Sequence, residues 1–137
     1  MKASDIDGII FPGGFGAAKN LSNFAVKGIE CTVNPLIEKI IRTIHKEEKP
    51  TGFTCIAPVL AAKVLGEFQP KLTIGNESET AKQIEEMGGK HVNCAVGEIA
   101  VDTINKIVST PAYMLGPTIS KIAVGIEKLV EKVVELA

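Results

Sequence analysis

Apolar runs and helical periodicities alternate along the chain. The continuous apolar run Ile6–Phe11 is typical of a strand that is covered on both faces. Apolar residues at helical spacing then predict a helix with Asn34 as its N-cap and Pro35 in its first turn, and Pro50 ends it. The long amphipathic stretch Thr118–Leu136 predicts the last helix.

Shorter patterns fill the rest of the chain. A Gly-rich turn is expected between the first strand and about Lys19. The further predicted elements are a strand over Pro50–Thr54, a helix over Ala57–Leu65, a strand over Lys71–Ile74, a helix over Thr80–Met87, and a hairpin of Ile99–Val101 with Lys106–Thr110. This alternation of strands and helices predicts an α/β fold with a mainly parallel sheet.

Composition narrows the class of protein. The chain has 137 residues, of which 45% are hydrophobic, so a single domain over residues 1–137 is expected. The net charge of −1 argues against a nucleic-acid partner, and no apolar run approaches the length of a membrane span. Cys31, Cys55 and Cys94 lack the spacing of a disulfide scaffold and indicate reduced thiols. Because the sequence from Met1 shows no targeting pattern, a cytoplasmic location is expected.

The first candidate for chemistry is the loop at positions 12–16, with sequence Pro-Gly-Gly-Phe-Gly. Glycines directly after a strand let backbone N–H groups face a ligand or a developing oxyanion. Lys19 is not followed by Ser or Thr, so this is not a phosphate-binding Walker loop, and a third glycine of the dinucleotide fingerprint is missing. An ordinary tight turn remains the alternative interpretation.

The second candidate is Cys55, in the sequence Gly-Phe-Thr-Cys-Ile-Ala-Pro at positions 52–58. A residue at a sharp strand-to-helix turn projects from the carboxyl end of a parallel sheet, as the nucleophile elbow requires. Amides at the start of the following helix favour the ionised form of a thiol there. The alternative is a buried structural cysteine.

A nucleophilic thiol usually needs a base. Neither His45 nor His91 has a spacing that indicates catalysis, whereas Glu77 and Glu79 lie in a loop at the sheet end where the elbow is expected. His91 and Cys94 could join Cys31 as metal ligands, but no second pair has zinc-site spacing, so no metal site is predicted.

Three stretches together resemble one family. They are positions 11–22 (FPGGFGAAKNLS), positions 52–58, and Thr110–Met114. They are similar to the ElbB branch (named for enhancing lycopene biosynthesis) of the class I glutamine amidotransferase-like superfamily. That superfamily also contains the PfpI proteases and the parkinsonism-linked deglycase and glyoxalase relatives.

The resemblance implies a flavodoxin-like three-layer sandwich, a homodimer and a site without a cofactor. It implies that Cys55 is the elbow nucleophile, that the N–H groups of Gly14 and Ile56 form an oxyanion hole, and that Gly13 and Gly16 support the loop. Relatives include cysteine-dependent glyoxalases that convert 2-oxoaldehydes to hydroxy acids, so a small carbonyl compound is the expected substrate.

The chain departs from the family pattern in three ways. No His-x-Glu pair occurs, so glutamine hydrolysis is not expected. The stretch Thr73–Glu77 has no histidine where the glyoxalase relatives carry one, which leaves Glu77 as the candidate replacement. The family's N-terminal segment, with its first strand and a glutamate that contacts the cysteine, is missing before Ile6. The chain is therefore expected to be an N-terminally incomplete domain, and a transit peptide in that segment would make the location mitochondrial.

Two functions stay open on these observations. One is an enzyme, a cysteine-dependent glyoxalase or lyase in which Cys55 adds to a carbonyl group. The other is a non-catalytic thiol domain with a redox-responsive or regulatory role. The missing histidine favours the second function, and the retained glycine loop and elbow favour the first.

Overall fold

The computed structural model describes residues 2–116 and 118–137. Its strands are β1 (Ile9–Phe11), β2 (Thr51–Thr54), β3 (Lys71–Leu72), β4 (Lys90–His91), β5 (Ala100–Asp102) and β6 (Ile107–Thr110). Its α-helices are α1 (Phe15–Lys19), α2 (Phe24–Lys27), α3 (Pro35–Lys46), α4 (Pro58–Leu65), α5 (Ser78–Glu86) and α6 (Ile119–Leu136). Strands and helices alternate along most of the chain, as the hydrophobic pattern predicted.

Four strands form the main sheet in the order β1-β2-β6-β5. β2 pairs in parallel with both β1 and β6, so that Phe53 lies between Phe11 and Ser109 in the register. β5 and β6 form the predicted antiparallel hairpin, with Val101 opposite Val108. The mainly parallel α/β sheet is therefore confirmed. β3 and β4 pair with each other as a separate parallel ribbon.

Helices cover both faces of the main sheet. On one face, Phe53 is fully buried and stacks on Phe11 with ring centroids 5.3 Å apart, within a cluster to which α3, α4 and α5 contribute. On the other face, α6 packs Leu129 and Val133 against β2, where Gly52 leaves room for both side chains. Helices therefore pack on both faces of the sheet, which gives three layers.

The two long helices begin within one residue of the predicted positions. The side chain of Asn34 accepts a hydrogen bond from the Leu36 N–H at 2.9 Å, and Pro35 occupies the first turn of α3. The Thr118 hydroxyl accepts from the Lys121 N–H at the start of α6. Among the described residues, no helix is long and apolar enough to cross a membrane.

Several predicted boundaries are wrong. The first strand covers Ile9–Phe11 rather than Ile6–Phe11, and Ile9 and Ile10 are only half-buried because β1 is an edge strand. The segment after Gly14, expected to be a turn up to Lys19, forms α1 because Ala17 and Ala18 bury against the core.

The region after α4 also differs from the prediction. The strand expected over Lys71–Ile74 stops at Leu72, because the Thr73 N–H donates to the Ser109 hydroxyl at 2.9 Å instead of continuing a ladder. The helix expected from Thr80 begins at Ser78, because Glu77 caps it. The short elements α2 and β4 were not predicted.

Candidate functional site

Cys55 occupies a sharp turn between β2 and α4. Its backbone has φ +58°, a left-handed conformation that a residue with a side chain adopts rarely. Its N–H donates to the Thr110 carbonyl at 3.0 Å, and the Ala57 N–H donates to the Thr54 carbonyl at 3.0 Å, which closes the turn. The thiol is half-buried rather than enclosed. Cys55 thus lies at a sharp strand-to-helix turn, which is the backbone arrangement that a nucleophile elbow requires, and its nucleophilic role stays a prediction.

Gly13 packs directly against this turn. A Cβ atom at position 13 would lie 2.3 Å from the Cys55 Cβ and 2.6 Å from the Thr54 carbonyl oxygen, so only glycine fits. The Gly13 N–H also donates to the Thr54 hydroxyl at 3.0 Å. Gly16 lies farther along, inside α1, where a Cβ would meet only the Asn20 side chain at 3.6 Å. The two loop glycines therefore have different roles.

Gly14 and Ile56 line the cavity of the thiol. Gly14 has φ +92° and faces open space, and both residues line the same cavity as Cys55. Within residues 2–116 and 118–137, neither backbone N–H donates to a protein acceptor. These amides are therefore available to an oxygen atom held beside the sulfur, which is what an oxyanion hole requires.

Two cavities meet at Gly14 and Cys55. Their volumes are about 360 Å³ and about 250 Å³. The first of these two is also lined by Phe15, Ala18, Phe24, Ala25, Ile56 and Met114, and the second by Pro12, Gly13, Thr54, Ala112, Tyr113 and Ile126. None of these lining residues carries a charge.

A third cavity, of about 530 Å³, lies elsewhere on the molecule. It is lined by Arg42, His45, Phe68, Asn105 and Lys106, among others, and Cys55 is not among its lining residues. The cavities of about 360 Å³ and about 250 Å³, in contrast, open beside the thiol. The candidate site therefore consists of those two cavities and the turn between them.

Glu77 is not among the residues that line either cavity beside Cys55. Its two carboxylate oxygens accept from the N–H groups of Glu79 at 2.8 Å and Thr80 at 2.7 Å, which caps α5. Hydrogen bonds from Thr80 and then from Glu79 lower the pKa of Glu77. The structure thus gives Glu77 a capping role and does not bring it to the thiol, and Glu79 is likewise exposed and outside both cavities.

Both histidines are held away from the thiol by other contacts. The Nε2 atom of His91 accepts from the Ile74 N–H at 3.2 Å, and burial lowers the pKa of His91. His45 shares a hydrogen bond with Asn105 at 2.9 Å, beside Phe68. In the described part of the chain, no three His, Cys, Asp or Glu side chains gather as a metal site would require.

The structure adds residues to the site that the motifs did not single out. The Thr110 carbonyl accepts from the Cys55 N–H, and the Thr54 hydroxyl accepts from the Gly13 N–H. Phe24 and Met114 line the cavity of about 360 Å³. Thr110 and Met114 lie within one of the stretches that carried the family resemblance. Phe24 had no such signal, because its helix was not predicted.

We expect Cys55 to react with iodoacetamide on the order of ten-fold faster than either other cysteine, or more. Cys31 and Cys94 are only 2% and 9% exposed, and burial raises the pKa of each thiol. Competitive labelling of the folded protein near neutral pH, followed by peptide mass spectrometry, measures the three rates. Faster labelling of Cys31 or Cys94 would contradict the elbow assignment, and denatured protein provides the control in which the three thiols should differ little.

Two curated proteins are similar in sequence to almost the whole chain. One is the ES1 protein homolog, mitochondrial, of Rattus norvegicus, which is 45% identical over 145 residues that include 99% of this chain and 54% of the relative. The other is the glutamine amidotransferase-like class 1 domain-containing protein 3, mitochondrial, of Homo sapiens, at 46% identity over 99% of this chain and 53% of the relative. The chain thus spans about half the length of the curated relatives it matches. No protein-family model matches it.

Solved structures agree with the fold. An isoprenoid biosynthesis protein with an amidotransferase-like domain from Ehrlichia chaffeensis superposes with a TM-score of 0.88 at 29% identity, over 100% of this chain and 62% of that one. Schizosaccharomyces pombe DJ-1 superposes with a TM-score of 0.58 at 21% identity, over 98% of this chain and 62% of that one. At this identity, the likeness is evidence for the fold only. The flavodoxin-like fold is confirmed, and the relatives support the glutamine amidotransferase-like superfamily.

Proposed function

We propose that the chain carries an ElbB-like, cofactor-independent site of glyoxalase or lyase type, in which Cys55 adds to small 2-oxoaldehydes. The observation that supports this most directly is the elbow itself. Cys55 is held at φ +58° and lines two cavities, one of them shared with Gly14 and Ile56, whose amides have no protein acceptor among the described residues. A nucleophile beside two free N–H donors is suited to addition at a carbonyl carbon.

The proposed reaction begins when the thiolate of Cys55 attacks the aldehyde carbon. A C–S bond forms, the C=O π electrons move to oxygen, and the amides of Gly14 and Ile56 donate to that oxygen. A proton then moves from the hemithioacetal carbon to the neighbouring carbon through an enediol, which gives a thioester. Water hydrolyses the thioester to a 2-hydroxy acid and restores the thiol, so no external oxidant or reductant is needed.

The proton transfer is the step for which the described site offers the least support. No carboxylate or imidazole lines either cavity beside Cys55 among the described residues, and Glu77 uses both oxygens to cap α5. Glu77 would act as the base only if it left that cap. The proposal therefore assigns addition and oxyanion binding to Cys55, Gly14 and Ile56, and turnover to a base outside this lining.

Methylglyoxal tests the proposal. Saturating methylglyoxal is expected to protect Cys55 of the wild-type protein from iodoacetamide, and any hydroxy acid formed should disappear in Cys55→Ser. Cys94→Ala is the matched control, because Cys94 is outside both cavities, and it should keep protection and product. An absence of protection, or undiminished product from Cys55→Ser, would contradict the proposal.

A non-catalytic thiol domain is the second candidate function. The uncharged lining favours it, since a thiol without a neighbouring base can bind or be oxidised but does not readily turn a substrate over. In that case, dilute hydrogen peroxide should oxidise Cys55 before Cys31 and Cys94, and methylglyoxal should give no product. Cys55-dependent product formation would exclude this candidate.

Location and assembly remain proposals as well. Two relatives from rat and human, and a third from Danio rerio that is 32% identical, are named mitochondrial. We therefore propose a mitochondrial location in preference to the cytoplasmic one expected from the sequence. The homodimer implied by the family resemblance is proposed on the same footing, and sedimentation of the purified protein would measure it.

A further inference from the structure

The cavity of about 360 Å³ beside Cys55 has a lining that is mostly apolar. Among the described residues, those that line it besides Cys55 are Gly14 and the apolar residues Phe15, Ala18, Phe24, Ala25, Ile56 and Met114. Its volume lies within the roughly 300–1,000 Å³ typical of small-molecule pockets. The cavity is therefore large enough to hold more than the two reacting carbon atoms of a 2-oxoaldehyde.

Charge is absent from this wall. A carboxylate or an ammonium group that entered the cavity would lose hydration without gaining an ion pair, which is unfavourable. An alkyl or aryl group would instead exchange water for apolar contacts. The carbonyl oxygen alone finds polar partners, at the amides of Gly14 and Ile56.

We propose that the site selects neutral carbonyl compounds whose substituent beyond the carbonyl is an alkyl or aryl group of several carbons. This inference rests on the proposed function, because it names the substrate class of the same thiol. The carbonyl lies between Gly14 and Ile56, and the substituent occupies the cavity against Phe24 and Met114. Small charged oxo acids are excluded by the same wall.

A homologous series of alkylating reagents tests the selection without relying on turnover. The rates at Cys55 are measured for iodoacetamide, N-ethyl- and N-butyl-iodoacetamide, and iodoacetate, each divided by its rate with 2-mercaptoethanol. In every case the S–C bond forms as iodide leaves. Each methylene that enters the cavity is expected to raise the normalised rate by up to roughly four-fold, and iodoacetate is expected to be the slowest reagent.

Two lysine variants on α2 provide the matched comparison. Ala25 is exposed but lines the cavity, whereas the adjacent Val26 is 80% exposed and does not. Ala25→Lys is expected to raise the normalised iodoacetate rate by roughly three- to ten-fold through attraction of the carboxylate. Val26→Lys, which adds the same charge on the same helix, should change that rate by much less.

The outcomes separate this inference from the proposed function. Equal normalised rates along the series, or a wild-type preference for iodoacetate, would overturn the substrate class while leaving methylglyoxal protection of Cys55 intact. Length-dependent alkylation without methylglyoxal protection would overturn the proposed carbonyl addition, and the substrate class with it. Length dependence together with protection supports both.

Discussion

Gly13→Ala is expected to destabilise the fold by about 2–4 kcal/mol and to disrupt the Cys55 turn. The added methyl carbon would lie 2.3 Å from the Cys55 Cβ and 2.6 Å from the Thr54 carbonyl oxygen. Neither neighbour can rotate away, because one is backbone and the other is fixed to a backbone at φ +58°. Either β1 or the turn must shift, and the hydrogen bond from the Gly13 N–H to Thr54 should be lost with it.

Gly16→Ala is the matched control for this variant. A Cβ atom at position 16 meets only the Asn20 side chain at 3.6 Å, inside α1. Alanine is favoured over glycine in a helix by up to about 1 kcal/mol, so this variant should be neutral or slightly stabilised. Urea unfolding measures the free energy, and the iodoacetamide rate at Cys55 measures the turn. If the two variants had the same free energy of unfolding and the same iodoacetamide rate, the distinct roles of these glycines would be contradicted.

The start of α3 and the strand-to-helix turn at Cys55 were predictable because their signals are local. Asn34 and Pro35 mark the start of α3 through capping and φ preference, which depend on neighbouring residues only. The turn at Cys55 was indicated by a strand that runs directly into a helix with small neighbours. Such features are encoded within a few residues and need no knowledge of the packed structure.

The errors arise where tertiary contacts decide the outcome. The segment after Gly14 looks like a turn because glycine disfavours helix, yet burial of Ala17 and Ala18 makes it α1. Lys71–Leu72 has a strand pattern that cannot reveal its partner, which is β4 rather than the main sheet. The sequence pattern also did not indicate that the carboxylate of Glu77 caps the start of α5, and a role for Glu77 as the base stays a prediction.

Asp102 is the buried carboxylate that joins β5 to its surroundings. It is 7% exposed, and its Oδ1 accepts from the N–H groups of Ile104 at 3.1 Å and Asn105 at 3.0 Å. Its Oδ2 accepts from the Lys71 N–H at 2.9 Å and the Asn105 Nδ2 at 2.8 Å. The carboxylate therefore connects the main sheet to the β3–β4 ribbon and orders the turn before β6.

Burial acts to raise the pKa of Asp102, but the hydrogen bonds from Asn105, Lys71 and Ile104 outweigh it and lower the pKa overall. A carboxyl group whose pKa is lower in the folded state stabilises the fold when it is ionised. That contribution is present above the unfolded pKa of about 3.9 and is lost as the pH falls through the folded value.

Asp102→Asn is accordingly expected to lower the free energy of unfolding by about 2–4 kcal/mol at neutral pH, since its amide group cannot accept from all four donors. The difference from wild type should shrink as the pH falls below about 4 toward about 2.5, because the carboxyl group of the unfolded wild-type chain takes up its proton over that interval while the folded one resists protonation. Asp7→Asn makes the same chemical change at an exposed position and should stay within about 0.5 kcal/mol of wild type. Urea unfolding of the three proteins at both pH values measures these differences, and a gap for Asp102→Asn that does not change with pH would contradict the role assigned to the carboxylate.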